Sequence, residues 1–170
     1  ERVRVELVED VDKIVVYGTD KADFFKFNKL NGRINHLVLH AKGGDDVIIV
    51  QADDSDDDSA ELNVPWKNTR LKTLVIHGDD PDDSEKVGDD NIDVDTRLFA
   101  ESGGTYTIDG GFGNDEIDLF ADNSEYDGVT LIGGPGNDLI LGNDGPETVY
   151  GDRKNENADD YKTYPQYDKI

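Results

Sequence analysis

Residues 107–120 read TIDGGFGNDEIDLF, and this stretch decides the fold. Gly110, Gly111 and Gly113 lead into Asn114-Asp115, and a short run alternating apolar with acidic follows. Residues 130–142, TLIGGPGNDLILG, repeat the arrangement 23 residues later. The pattern asks twice for backbone freedom and for a carboxylate at the same place.

Working outward, the same strand–turn–strand grammar runs along the chain. It appears in KIVVYGTDKADFFKF (13–27), NHLVLHAKGGDDVIIV (35–50), TLVIHGDDPDDSEKVGDDNIDV (73–94) and ETVYGDRKNENADDY (147–161). The turns open at Gly18, Ala41, Gly78, Gly110, Gly133 and Gly151, and the third carries an insertion, PDDSEKV. Before the turns, one column holds Val16, Leu39, Ile76, Ile108, Leu131 and Val149. A second holds Ile14, Leu37, Leu74, Tyr106 and Val129. After the turns come Phe25, Ile48, Ile92, Ile117 and Ile140, then Phe27, Val50, Val94 and Leu119. Period two puts each set on one strand face. Tyr17, His40, His77, Asp93, Asp109 and Asp118 are expected to face outward.

Strands this short cannot bury a face alone, whereas stacked coils bury one another. The expected fold is all-β: a parallel β-solenoid of about six coils, with glycine/aspartate turns stacked on one edge. No amphipathic helix of useful length is visible. One domain spans 1–170. Residues 1–12 form an N-terminal cap strand, 13–104 degenerate coils, 105–159 the regular repeats, and 160–170 a cap or linker.

Composition agrees. There are 40 acidic against 17 basic side chains, a net charge of -23. Thirty of the acids are Asp, a turn residue and hard-cation ligand. Nucleic acid and anionic membrane are excluded as partners by repulsion. With no Cys, packing or metal must hold the fold. No signal peptide and no apolar run of membrane-spanning length is present, so the chain is expected to be a mature or excised piece of a longer polypeptide. The apolar periodicity argues against the disorder that such acidity allows.

Residues 110–118, GGFGNDEID, and 133–141, GGPGNDLIL, fit the nonapeptide G-G-x-G-x-D-x-U-x, in which U is large and apolar. Residues 142–150, GNDGPETVY, follow in register but depart at Asn143 and at Glu147, which replaces the aspartate. Residues 151–159 keep the first glycine and an acid, Glu156. Over 105–159 the chain resembles the hemolysin-type calcium-binding repeats of RTX proteins. Over 13–104 the likeness thins to Gly18, Asp23 and Phe25, to Gly44, Asp46 and Ile48, and to Gly88, Asp90 and Ile92. The resemblance implies a right-handed β-roll. It also implies a noncatalytic calcium-binding module of a secreted or cell-surface protein, exported unfolded and folding outside the cell. The parent would be an adhesin, toxin, protease or surface-layer protein.

The chemistry fits that expectation. Glycines let the turn carbonyls point inward. Coils ~4.8 Å apart bring Asp115 beside Asp138. Two unit charges at ~4 Å repel by about 1 kcal/mol in water and about 4 at an effective dielectric of 20. Calcium, with 6–8 hard oxygens, relieves this. The expected ligands are the carboxylates of Asp115 and Asp138 and the carbonyls of Gly110, Phe112, Asn114, Gly133, Pro135 and Asn137. Asp23, Asp46 and Asp90 are expected to add sites, and Glu156 to extend the column weakly.

Other motifs carry less. DDSDDDSAELNV (53–64) lacks the glycine, final Glu and flanking helices of an EF-hand and reads as a solvated loop. GFGNDE lacks the third glycine of a dinucleotide loop. His36, His40 and His77 have no Cys beside them and read as surface residues rather than zinc ligands. Pro65-Trp66 reads as a lid on the core rather than a sugar platform, and Tyr161, Tyr164 and Tyr167 as a cover for the last coil. Two competing functions remain. One is a calcium-dependent adhesin gripping glycan or another surface component. The other is a polysaccharide lyase or epimerase using Arg70 or Lys72 as base.

Overall fold

The structure is a computed structural model and describes residues 11–27, 34–51, 71–80, 83–100, 102–120 and 126–151. Several features read from the sequence lie outside those residues: most of the cap strand at 1–12, the acid run 53–64, Pro65-Trp66, Arg70, Glu156 and the three C-terminal tyrosines.

The described chain is all-β with almost no helix. Eleven strands run β1 (Lys13–Tyr17), β2 (Phe24–Phe27), β3 (His36–Lys42), β4 (Val47–Val50), β5 (Thr73–Asp79), β6 (Asn91–Asp95), β7 (Thr105–Asp109), β8 (Glu116–Phe120), β9 (Val129–Ile132), β10 (Leu139–Leu141) and β11 (Glu147–Tyr150). Odd strands form one sheet in the order β1-β3-β5-β7-β9-β11. Even strands form a second, β10-β8-β6-β4-β2. Every pairing is parallel, and the chain passes from one sheet to the other at each connection.

The register aligns the apolar columns. Val16, Leu39, Ile76, Ile108, Leu131 and Val149 are successive partners across the first sheet. Phe25, Ile48, Ile92, Ile117 and Ile140 are partners across the second. A slip of one residue would turn every one of these side chains outward, so the pattern fixes the pairing. The inner faces merge into one core in which Leu39, Ile48, Ile76, Ile92, Ile108, Ile117 and Leu131 are fully buried. Val16, Phe25, Ile140 and Val149 are only partly buried, because strands at the ends of the sheets are covered by a neighbour on one side alone.

That gradient gives a test. Ile76→Ala in the middle of the stack is expected to cost about 2–5 kcal/mol, since the lost methyl groups leave a cavity that flanking strands cannot close. Val149→Ala should cost clearly less. Denaturant midpoints of the two variants check this, and equal losses would mean that the sheet centre is not where packing is concentrated.

Two local details were not read from the sequence. After β6 the chain makes one 3-10 turn, Thr96–Leu98, capped by Asp95, whose carboxylate also takes the Arg97 guanidinium at 2.6 Å. Asp109, expected on the solvent face, is 5% exposed and lies 3.7 Å from Nδ1 of His77 on the neighbouring strand.

Candidate metal centre

Five aspartates stand immediately before the strands of the second sheet: Asp23, Asp46, Asp90, Asp115 and Asp138. Their following residues, Phe24, Val47, Asn91, Glu116 and Leu139, are register partners, so the aspartates form a line across the turns. Each carboxylate after Asp23 reaches back one turn. The Asp23 N–H donates to Asp46 Oδ1 at 2.6 Å and the Asp46 N–H to Asp90 Oδ1 at 2.8 Å. The Asp90 N–H donates to Asp115 Oδ1 at 2.9 Å and the Asp115 N–H to Asp138 Oδ1 at 3.0 Å. One oxygen of each thus closes a main-chain donor left open by the turn.

The other oxygen is the unusual one. Oδ2 of Asp46, Asp90 and Asp115 is buried with no hydrogen-bond partner, and among the described residues none of these three carboxylates makes an ion pair. Oδ2 of Asp90 lies over Gly78, that of Asp115 over Gly110 and that of Asp138 over Gly133; a Cβ on any of these glycines would overlap it. Glycine opens these three turns for this reason and not for a positive φ, which none of the three takes. Asp23 differs, because its Oδ2 accepts from the Thr19 N–H at 2.7 Å and hydroxyl at 2.9 Å. Asp138 is only partly buried.

Burial pushes three of these carboxyls up, to about 7 for Asp46, about 8 for Asp90 and about 7 for Asp115, with neighbouring carboxylates adding to the shift and the turn N–H groups opposing it. A buried carboxylate oxygen without a donor is costly. The donor set is all oxygen, which suits a hard cation rather than zinc. Among the described residues no three carboxylate or imidazole side chains converge on one ion position, so an ion held here takes much of its shell from main-chain carbonyls. Four of the expected carbonyls are already in use. Gly110 O accepts from the Asp79 N–H, Phe112 O from the Gly88 N–H, Gly133 O from the Gly111 N–H and Pro135 O from the Gly113 N–H, each at 3.1 Å. Each keeps a second lone pair for a cation.

Asn114 and Asn137 belong to a second, outer line. The Asp89 N–H donates to Asp45 Oδ1, the Asn114 N–H to Asp89 Oδ1 and the Asn137 N–H to Asn114 Oδ1. These side chains bind turn to turn, a role that the motif's free fifth position did not signal. The copy at 142–150 lies in the opposite kind of connection, from the second sheet back to the first. Its Glu147 accepts from the Tyr126 hydroxyl at 3.0 Å and the Asn143 N–H at 3.2 Å. The longer acid there serves a packed tyrosine.

Tyr17 stacks on His40 and His40 on His77 on the outer face of the first sheet, with centroids 5.2 Å apart in both pairs. Burial and the adjacent His77 hold His40 below the usual imidazole range. Compared with known proteins, the chain matches no family model, no curated protein and no solved structure.

Proposed function

We propose that this chain is a calcium-binding structural module, built as a right-handed parallel β-solenoid with its aspartate turns on one edge, and belonging to a secreted or cell-surface polypeptide that folds as ions bind outside the cell. The observation that carries the reading is the buried, partnerless Oδ2 of Asp46, Asp90 and Asp115. Calcium would supply the positive charge that these oxygens lack. Asp115 and Asp138 would hold it in the regular turns, Asp46 and Asp90 in the degenerate ones, and the turn carbonyls would complete the shell. Asp23, whose second oxygen Thr19 takes, is the weakest ligand of the line. The chain itself does no chemistry. Lys72 precedes β5 while the aspartates follow it, so the strand separates them by about 23 Å. That distance speaks against the lyase or epimerase reading.

The test is a calcium titration followed by far-ultraviolet circular dichroism. Calcium should raise strand signal and melting temperature with a midpoint of about 10⁻⁴–10⁻³ M, the range of extracellular modules, and magnesium should substitute poorly. Asp115→Asn with Asp138→Asn keeps the acceptors of the turn N–H bonds and removes the charge. This pair should move the midpoint to higher calcium; an unmoved midpoint would place the ions in other turns.

A further inference from the structure

The third turn carries a carboxylate that the nonapeptide does not include. Its second position, glycine at Gly111 and Gly134 in the regular turns, is Asp79. Asp79 is 1% exposed. Its Oδ2 accepts from the Phe112 N–H at 2.9 Å and the Gly88 N–H at 3.2 Å. Two main-chain donors from different turns therefore aim one oxygen.

The surroundings of Asp79 are built around it. Gly111, in the next turn, has φ +117, and a Cβ there would lie 2.5 Å from Cβ of Asp79 and 2.8 Å from its amide nitrogen. Gly78, immediately before Asp79, lies under the partnerless Oδ2 of Asp90, and Gly110, immediately before Gly111, lies under that of Asp115. Asp79 thus follows the first of these two glycines directly, and its N–H donates to the carbonyl of the second, Gly110, at 3.1 Å. It lies within Coulombic reach of Asp46, Asp90 and Asp115 alike. Buried like charges this close repel, and a dication between them removes the repulsion.

We propose that Asp79 is an additional calcium ligand, so that the inserted third turn holds an ion through Asp79 together with Asp90 or Asp115. The inference rests on the calcium reading above. It adds a ligand where the repeat supplies only glycine. It also gives the insertion a role: the Gly88 N–H at its end closes onto the ligand oxygen, so an ion at Asp79 ties the insertion to the turn line.

Calorimetric titration of the full chain with calcium tests this on wild type, Asp79→Asn and Asp79→Glu. Asn keeps an acceptor for the Phe112 and Gly88 N–H groups and loses the charge. Asp79→Asn is expected to bind one calcium fewer, or to weaken one site by roughly tenfold or more, the scale of losing a partner in an ion's shell. Asp79→Glu should keep more of the affinity. Wild-type stoichiometry and affinity in Asp79→Asn, alongside the weakening expected of Asp115→Asn, would overturn the role of Asp79 and leave the calcium reading standing. No binding by wild type would overturn both. If Asp79→Asn does not fold even at saturating calcium, crystals of the wild-type chain soaked in terbium decide. Anomalous density within ~2.3–2.6 Å of an Asp79 oxygen supports the assignment, and its absence there overturns it.

Discussion

In chelator at pH 8 the chain is expected to lose most of its strand signal, and either calcium or acid should restore it. The buried line explains both rescues. Asp46, Asp90 and Asp115 have folded-state pKa values near 7 to 8 against 3.8 for an unperturbed carboxyl, chiefly because burial strips the ionised form of water. A group raised in this way binds more protons in the folded chain than in the unfolded one. Without metal, its contribution to stability is therefore full below about pH 4 and is lost as pH rises through 7 to 8. The net charge of -23 pushes the same way. Calcium reverses the dependence, since it binds the ionised carboxylates and displaces their protons. Each independent site adds ~2.7 kcal/mol at a hundredfold excess over its dissociation constant. Two or three such sites rival the 5–15 kcal/mol of a typical domain. Melting temperature should thus fall from pH 4 to 8 in chelator and stay level or rise in calcium. Parallel pH profiles with and without calcium would mean that the buried carboxylates are not where the ion binds.

Gly113→Ala is expected to be among the most destabilising single-methyl additions in the molecule. Gly113 has φ +137, a conformation closed to alanine without strain, and a Cβ there would overlap the carbonyl oxygen of Gly88 in the preceding turn. The dihedral costs about 1–3 kcal/mol, and forcing the turns apart adds about 1–3. The same displacement would stretch the hydrogen bond from the Gly113 N–H to Pro135 O on the other side. Gly103→Ala is the control. Gly103 has φ +71 but nothing lies within 4 Å of its Cβ position, so it should show only the cost of the left-handed region, about 1–2 kcal/mol. Chemical denaturation at fixed calcium compares them. Equal losses would mean that close stacking of the turns does not limit this position.

The columns were legible because their physics is local. Period-two alternation names the buried face of a strand, and a fixed offset from each turn names the partner, so Leu39 finds Ile76 and Ile48 finds Ile92 without further information. The aspartate line was legible for a related reason: a carboxylate one residue before each second-sheet strand is a sequence position as much as a spatial one. Asp79 was hidden because the motif has glycine at that position, so an acid there reads as a lost match rather than as a ligand. Asp109 lies beside its register partner His77 on the neighbouring strand, and alternation alone, which put it outside, did not signal its burial. The fate of Glu147 was hidden because it is settled by Tyr126, 21 residues earlier. Lys42 takes φ +90 at the position that Gly111 and Gly134 fill, a substitution that no glycine pattern could reveal. What sequence reading missed were the choices made by contacts between turns, which period and spacing do not encode.

The most direct test of the central claim is a crystal of the chain grown in millimolar calcium, with anomalous differences measured at a wavelength where calcium scatters. The account predicts ions within ~2.3–2.6 Å of carboxylate oxygens in the line from Asp46 to Asp138, and one beside Asp115 above all. Clean density with no ion at Asp115, and Oδ2 there still without a partner, would contradict it.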